Sequence, residues 1–339
     1  IMRLLKLVPD NTNIDFMRWR GIAFAVSSLL IAASIALLAL KGLNFGVDFA
    51  GGQMIRVSFV QEPELEDLRE RIAALGHGDA LVQETRSSAV EIGAGEAERH
   101  QFVIRMGLPE EGGPAAADRA ATDVRNALTQ AFPGSRIDSV ESVSGKVSEE
   151  LLQAGALALL FAMIGVSIYI WWRFEWQFGV GALFSLFHDV TITLGFLALT
   201  QLEFDLNVVA ALLTLIGYSL NDTIVIYDRI RENLRKYRKM EMRELINLSV
   251  NETLSRTIAT NLAMMLALGS LFLLGPEVIY SFTATLAFSV IIGTYSTTYI
   301  AAPGLIWLKV SSDSFLPRDP VSRAGAARGP RNEDFGARV

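Results

Sequence analysis

The sequence has no cysteine, and over much of its 339 residues it has almost no charge. Without cysteine, a disulfide scaffold and any thiol-ligated metal centre are excluded, so a portion outside the cytoplasm has to fold on packing alone. Charged residues amount to 19% of the chain, where a soluble protein carries about 25%. The shortfall is concentrated. Six stretches, 21–40, 152–172, 178–200, 206–227, 257–275 and 278–308, contain between them only Asp189 and Asp222 as charged residues. Each is about as long as a helix must be to cross roughly 30 Å of hydrocarbon. A single soluble domain is excluded, and the pattern predicts a polytopic α-helical membrane protein with six transmembrane helices. The net charge of −6 argues against nucleic acid as the main partner, because phosphate binding needs concentrated positive surface.

The first stretch follows Arg3, Lys6, Arg18 and Arg20, as a secretory signal would. Its apolar core exceeds the roughly 7–15 residues of a cleaved signal, and no small-x-small site follows before Lys41, so it reads as a retained first helix. Lysine and arginine set the orientation. They gather in segment 1–20, in the 173–177 turn, in 228–256 and in the tail 309–339, while the links 201–205 and 276–277 have none. The positive-inside rule then puts both termini in the cytoplasm. Trp19, Trp171, Trp172, Trp176 and Trp307 all fall at the cytoplasmic ends of the expected helices, where amphipathic rings prefer to sit.

Residues 41–151 form the one long connection, between the first two helices, and they read as an extracytoplasmic domain. Strand 53–60, a charged amphipathic helix opened by Pro63 and ended at Gly76, and a strand near 79–87 come first. A polar loop 91–98, strand 100–106, helix 114–131 and a strand near 135–143 complete the order βαββαβ, an α+β ferredoxin-like pattern of one sheet and two helices. His77 and His100 read as lone surface histidines. Helices two to six occupy 152–308, and the Gly-, Pro-, Arg- and Ala-rich tail is expected to be disordered.

A carboxylate inside a bilayer costs several kcal/mol and needs a reason to persist. Ser185, Asp189 and Thr193 share one face of the third helix, with His188 directed elsewhere, and Thr214, Tyr218 and Asp222 share a face of the fourth, flanked by Asn221. Both stripes should face protein. Arg256 opens the fifth helix beside Thr253, Thr257 and Thr260, and it is the available partner for Asp222. Burial and a neighbouring guanidinium act oppositely on a carboxyl's proton affinity, which suits a group that exchanges a proton. One charge falling through ~100 mV releases about 2.3 kcal/mol, enough for a modest conformational change. The alternative is a static ion pair or a set of helix-packing hydrogen bonds. The hydroxyl-rich string 293–303, with Thr294, either packs helices closely or lines a hydrated path. Residues 229–243 read as a solvated topogenic block or a docking surface.

The strings GLNFGVDFAGG (42–52), FSLFHDVTITLGF (184–196), GYSLNDTIVIYDRIRENLR (217–235), NETLSRTIATNL (251–262) and GTYSTTYIAAP (293–303) together resemble the motif series of the SecD/SecF family of protein-export membrane proteins. The likeness runs in order over nearly the whole chain. It implies a half-unit of the resistance-nodulation-division architecture in the bacterial plasma (inner) membrane, completed to twelve helices by SecD. It further implies assistance to the Sec translocon (SecYEG), with a YajC-like accessory protein, in moving a preprotein on the outer face. Membrane lipids surround the helices, protons serve as coupling ion, and no cofactor is implied. By the family's pattern Asp222 carries the proton and Arg256 is its partner. Asp189 is a further relay residue, and Asn221, Thr260 and Thr294 are supporting polar groups. Gly46, Asp48, Gly51 and Gly52 resemble a hinge joining helix to sheet. Ala50 stands where a hydroxyl residue is usual, and ATNLAMML in the fifth helix is poorer in Ser and Thr than in relatives. Competing readings are a drug or lipid exporter of the same superfamily, an intramembrane aspartyl protease and a non-conducting scaffold. The only GxGD string, Gly76 to Asp79, lies in the domain and not in a membrane helix.

Overall fold

The computed structural model describes residues 9, 12–75, 80–85, 100–106 and 113–310. His77, the GxGD string, the 91–98 loop, half of the N-terminal segment and the tail beyond 310 lie outside them. Among the described residues, six helices are long and apolar enough to cross a membrane. The first is α1 (Arg20–Leu40), entered through a turn of 3-10 helix at Phe16–Trp19. A short strand β1 (Asn44–Phe45) and a one-turn helix α2 (Val47–Ala50) lead into the inserted domain.

The domain consists of β2 (Gly52–Phe59), α3 (Leu65–Ala73), β3 (Ala80–Thr85), β4 (His100–Met106), α4 (Gly113–Ala131) and β5 (Arg136–Val143). Its sheet has the order β3-β4-β2-β5 with every neighbouring pair antiparallel. Each helix therefore joins two strands separated by a third, the split βαβ arrangement. Alternation explains which face is covered. Ile55, Val57 and Phe59 of β2 and Phe102 and Ile104 of β4 point to one side, where Leu68 and Ile72 of α3 and Val124 and Leu128 of α4 close over them. With no disulfide, this layer of apolar contact is the domain's main core, and a smaller cluster of Val47, Met54 and Val103 packs on the other face of the sheet.

The remaining membrane-length helices are α5 (Gly145–Arg173), α6 (Trp176–Thr200), α7 (Leu206–Lys236), α8 (Met242–Leu274) and α9 (Tyr280–Ser296), the last continued by a π-turn (Thr297–Ala301) and α10 (Ala302–Trp307). Their bounds differ from the apolar stretches in an instructive way. Ser144 accepts a hydrogen bond from the Val147 N–H and starts α5 seven residues before the apolar run. Helices α7 and α8 overrun the apolar layer and form a polar hairpin, in which Arg229 and Asn233 both bond Glu252 at 2.7 Å. Segment 229–243, read as a solvated topogenic block or a docking surface, is thus mostly helix. The chain ahead of α1 is strapped to this hairpin, since Asp15 accepts from Asn247 at 2.7 Å and Asn251 accepts from the Ile14 N–H at 2.9 Å.

Helices α6, α7 and α9 form the centre, and α1, α5 and α8 stand around them with apolar side chains such as Leu29, Phe161 and Leu266 exposed. Helix α1 turns its small residues Ala23, Ser27 and Ser34 inward. The approach is so close that a Cβ at Gly195 would overlap Ser34. All five tryptophans sit at the helix ends remote from the inserted domain; Trp19, Trp171, Trp172, Trp176 and Trp307 are each more than half exposed. In the last helix Pro303 has no N–H to give and would crowd the carbonyl four residues back. The Ala302 N–H instead bonds the Thr297 carbonyl, five residues back, and the turn widens there.

Between α2 and β2 the backbone passes through positive φ at Gly51 (72°) and Gly52 (120°), a region costly for other residues. Gly51→Ala is expected to destabilise the purified chain in detergent by about 1–3 kcal/mol. Gly165→Ala, in a helix with open space at that point, should leave the thermal midpoint unchanged or raise it. A Gly51→Ala midpoint equal to that of the parent would contradict the assignment of strain to this turn.

Candidate functional site

The two membrane carboxyls are held in contrasting ways. Asp189, in the middle of α6, is fully buried. Its Oδ2 accepts from the hydroxyls of Ser219 on α7 at 2.5 Å and Ser296 on α9 at 2.8 Å. Its Oδ1 lies 2.9 Å from His188 Nδ1. The expected stripe is real on one side, since Ser185 donates to Ser296 at 3.1 Å, while Thr193 pairs with Ser289 rather than with the carboxyl. His188, expected to point elsewhere, turns back onto its neighbour. The reason is α1. His188 Nε2 lies 3.1 Å from Ser27 Oγ, which lies 3.1 Å from the Tyr295 hydroxyl, and that hydroxyl donates to the Ala23 carbonyl at 2.9 Å.

This run of donors constrains the protons. A carbonyl only accepts, so Tyr295 spends its one proton on Ala23. Ser27 then donates to Tyr295, and His188 Nε2–H donates to Ser27. The Nδ1 to Oδ1 contact requires a further proton between the ring and the carboxyl, so the His188–Asp189 pair holds two protons and is neutral as a unit. The assignment follows from the hydrogen-bond pattern and makes every member of the chain satisfied.

Asp222, on α7 one turn beyond Ser219, is also buried but differently. Its Oδ1 accepts from Thr257 on α8 at 2.9 Å, and its Oδ2 is buried with no hydrogen-bond partner among the described residues. The expected Asp222–Arg256 ion pair does not form. Successive helix residues are about 100° apart, so when Thr257 faces α7 its predecessor Arg256 turns to the exposed side of α8. Asn221 is exposed beside Asp222, and Thr260 is exposed with its hydroxyl on the carbonyls of Arg256 and Thr257. Thr214 likewise bonds its own helix, at the Ala210 carbonyl. Thr294 belongs to a neighbouring chain of bonds, from Tyr218 to Asn261 and from Asn261 to Thr294, each 2.7 Å. Asn221 on α7 and Arg256 and Thr260 on α8 are thus exposed polar side chains within one turn, along their own helices, of the Asp222–Thr257 contact.

The stretch 46–52 is more than a pair of tight turns. The Gly46 N–H donates to the Phe204 carbonyl at 2.9 Å, and a side chain there would lie 2.7 Å from Glu203 Oε1. Asp48 Oδ2 accepts from the Leu206 N–H at 3.0 Å, at the start of α7. Only Gly51 and Gly52 act through positive φ. Away from the membrane, His100 is not alone: Glu62 and Glu84 bring ligand atoms within 4.8 Å of it, a surface grouping of a kind common without any ion.

Sequence reasoning did not single out Ser27 and Ser219, while Tyr295 and Ser296 were read only as part of the hydroxyl-rich string 293–303. A hydroxyl in an apolar helix is a signal available but ambiguous with close packing. His188→Ala and Asp189→Asn should each cost about 1–3 kcal/mol by stranding a buried polar partner. In a double-mutant cycle followed by unfolding in mixed micelles they should couple by about 0.5–3 kcal/mol. Strictly additive losses would contradict the shared proton.

Residues 123–311 match the family described as protein export membrane protein SecD/SecF, C-terminal, and residues 36–62 match the SecD/SecF GG motif. The chain is 42% identical over 306 residues to a protein translocase subunit SecF of Cereibacter sphaeroides, covering 90% of this chain and 93% of that one. It is 43% identical over 302 residues to the SecF of Rhodobacter capsulatus, covering 88% and 89%. In three dimensions it is similar to SecDF of Thermus thermophilus, a translocon-associated membrane protein, with a TM-score of 0.78 at 29% identity; the likeness covers 89% of this chain and 40% of that longer one. The GG-motif match spans the turn at Gly51 and Gly52, the C-terminal match spans both buried carboxyls, and with the SecF relatives they establish that this chain belongs to the SecD/SecF family of protein-export membrane proteins.

Proposed function

We propose that the chain works beside SecD as the SecF half of a twelve-helix unit that uses the proton-motive force to assist preprotein movement, with Asp222 as the exchanging carboxyl. One observation carries the reading. Asp222 keeps one buried oxygen without a partner among the described residues, in a helix pair that carries exposed polar side chains at Asn221 and Arg256. A buried carboxyl left half satisfied is costly and invites a proton or a polar partner from outside the chain. Arg256 and Asn221, each next in sequence to a member of the Asp222–Thr257 contact, are exposed, and helices of SecD would cover them. In this reading Arg256 meets Asp222 only in another arrangement of α7 and α8, and Thr257 holds the carboxyl meanwhile.

Asp189 supports a different role. Its carboxyl is fully engaged and shares a proton with His188, which favours a fixed polar pin between α1, α6, α7 and α9 over a relay. The protease reading lacks its geometry: paired catalytic carboxyls must share a proton, and Asp189 and Asp222 hydrogen-bond to different side chains and not to each other. Positive charge at the ends remote from the inserted domain supports cytoplasmic termini and a domain on the outer face, toward SecYEG, a YajC-like protein and the emerging preprotein. Protons are the coupling ion proposed, with no cofactor.

In inverted membrane vesicles containing SecD, Asp222→Asn is expected to abolish proton-dependent stimulation of preprotein translocation while SecD still co-purifies. Thr257→Val, which removes the one side-chain donor, should reduce the stimulation without abolishing it. Full stimulation in Asp222→Asn would sink the proposal.

A further inference from the structure

The two carboxyl-bearing helices, α6 and α7, are joined by only five residues, 201–205, and these five are gripped by the inserted domain. Gln201 ends α6 in the left-handed conformation (φ 56°) and donates to the carbonyls of Ala198 and Gly42, tying the ends of α6 and α1 together. The next residues form a strand, β6 (Glu203–Phe204), paired in parallel with β1 so that Asn44 stands opposite Glu203 and Phe45 opposite Phe204. The start of α7 is capped twice. Asp205 Oδ1 accepts from the Val208 N–H at 2.9 Å, and Asp48, from the domain's own stem, takes the Leu206 N–H. Acidic groups at a helix N-terminus also meet its positive dipole end.

From the sheet itself comes Arg105, on the central strand β4. Its guanidinium reaches Glu203 Oε2 at 2.5 Å and Asn44 Oδ1 at 3.4 Å, with the two charged side chains only 15% and 19% exposed. Gly46 leaves just enough room for the Glu203 side chain to lie there. A half-buried ion pair of this kind adds little net stability, because desolvation offsets much of the attraction. The cost is visible at Glu203, where burial lifts the carboxyl above its ordinary range, opposed by Arg105 and reinforced by Asp205. An interaction that contributes little stability but fixes geometry closely is suited to transmitting position.

We propose that Glu203 is a positioning residue which, held by Arg105, makes the α6–α7 loop and the inserted sheet move as one body, so that a rearrangement at the membrane carboxyls is passed to the domain. The proposal rests on the reading of Asp222 as the exchanging carboxyl for what drives the movement, but not for the linkage itself. The stem through α1 supplies a tether; the Arg105–Glu203 contact, with β1 on β6, supplies direction.

The test uses the full chain assembled with SecD in inverted vesicles, with proton flux and preprotein translocation measured on the same preparation. Arg105→Gln and Glu203→Gln should each lower stimulation of translocation at least about fivefold, a coupling of ordinary allosteric size, with proton flux unchanged. A second arm leaves both charges in place. Phe45→Cys with Phe204→Cys places thiols on registered neighbours in adjacent strands, a spacing a disulfide can close, in a chain with no other cysteine. If loop and domain move as one, the oxidised protein keeps its stimulation. Full stimulation in both single variants would overturn the proposal, as would a loss on oxidation that reductant reverses; where the single variants do not assemble with SecD, the disulfide arm decides. Failure of the Asp222 reading is distinguishable, because it appears as proton flux that persists in Asp222→Asn whatever the latch variants do.

Discussion

A carboxyl group placed among apolar helices must be met by donors, and the centre of this protein is built around meeting that requirement at Asp189. Four helices contribute. Helix α6 supplies the carboxyl and His188, α7 supplies Ser219, α9 supplies Ser296 and Tyr295, and α1 supplies Ser27. Small residues elsewhere on α1 and α6 follow from the same need, since Ser27 reaches His188 only if the two helices approach as closely as Ser34 and Gly195 do. Once those four are fixed, α5 and α8 are left at the periphery with apolar faces for lipid or a partner's helices.

Asp222 gains its meaning by contrast. It lies one helical turn from Ser219, on the same α7 that the Asp189 network pins, yet it has one hydroxyl partner and one bare oxygen. In the function proposed, the fully satisfied site serves as a fulcrum and the half-satisfied site on the adjoining turn is the group that changes its state. The loop between this pair of helices meets the inserted domain through β6, Asp48 and Arg105, so the two carboxyl-bearing helices contact the domain at that end.

Much of this was legible in the residues. Segregated charge located all six membrane helices, and alternation located the four strands of the domain, because both signals come directly from burial. Helix bounds were less legible. The turns at 145–151, 228–236 and 242–256 carry too much charge to extend the apolar runs, yet Ser144 starts the first, and side-chain pairs such as Arg229–Glu252 together with buried Ile230, Leu234, Leu245 and Ile246 hold the other two. Site geometry was harder still. The choice between Arg256 and Thr257 as partner of Asp222 turns on one residue's rotation about α8, and the inward turn of His188 depends on a serine 161 positions away. Asp48 looked like part of a hinge because its acceptor role involves the start of a helix 158 residues later. Spacing along one element is visible in a sequence; which side chains meet across elements is not.

The central claim is that the carboxyl which changes protonation is Asp222, and that Asp189 keeps its shared proton. Infrared difference spectroscopy on the chain assembled with SecD, comparing vesicles before and after a proton gradient is imposed, reads this directly through the carboxyl C=O stretch. The account predicts a carboxyl band that is absent in Asp222→Asn and retained in Asp189→Asn. A band retained in Asp222→Asn and lost in Asp189→Asn would contradict it.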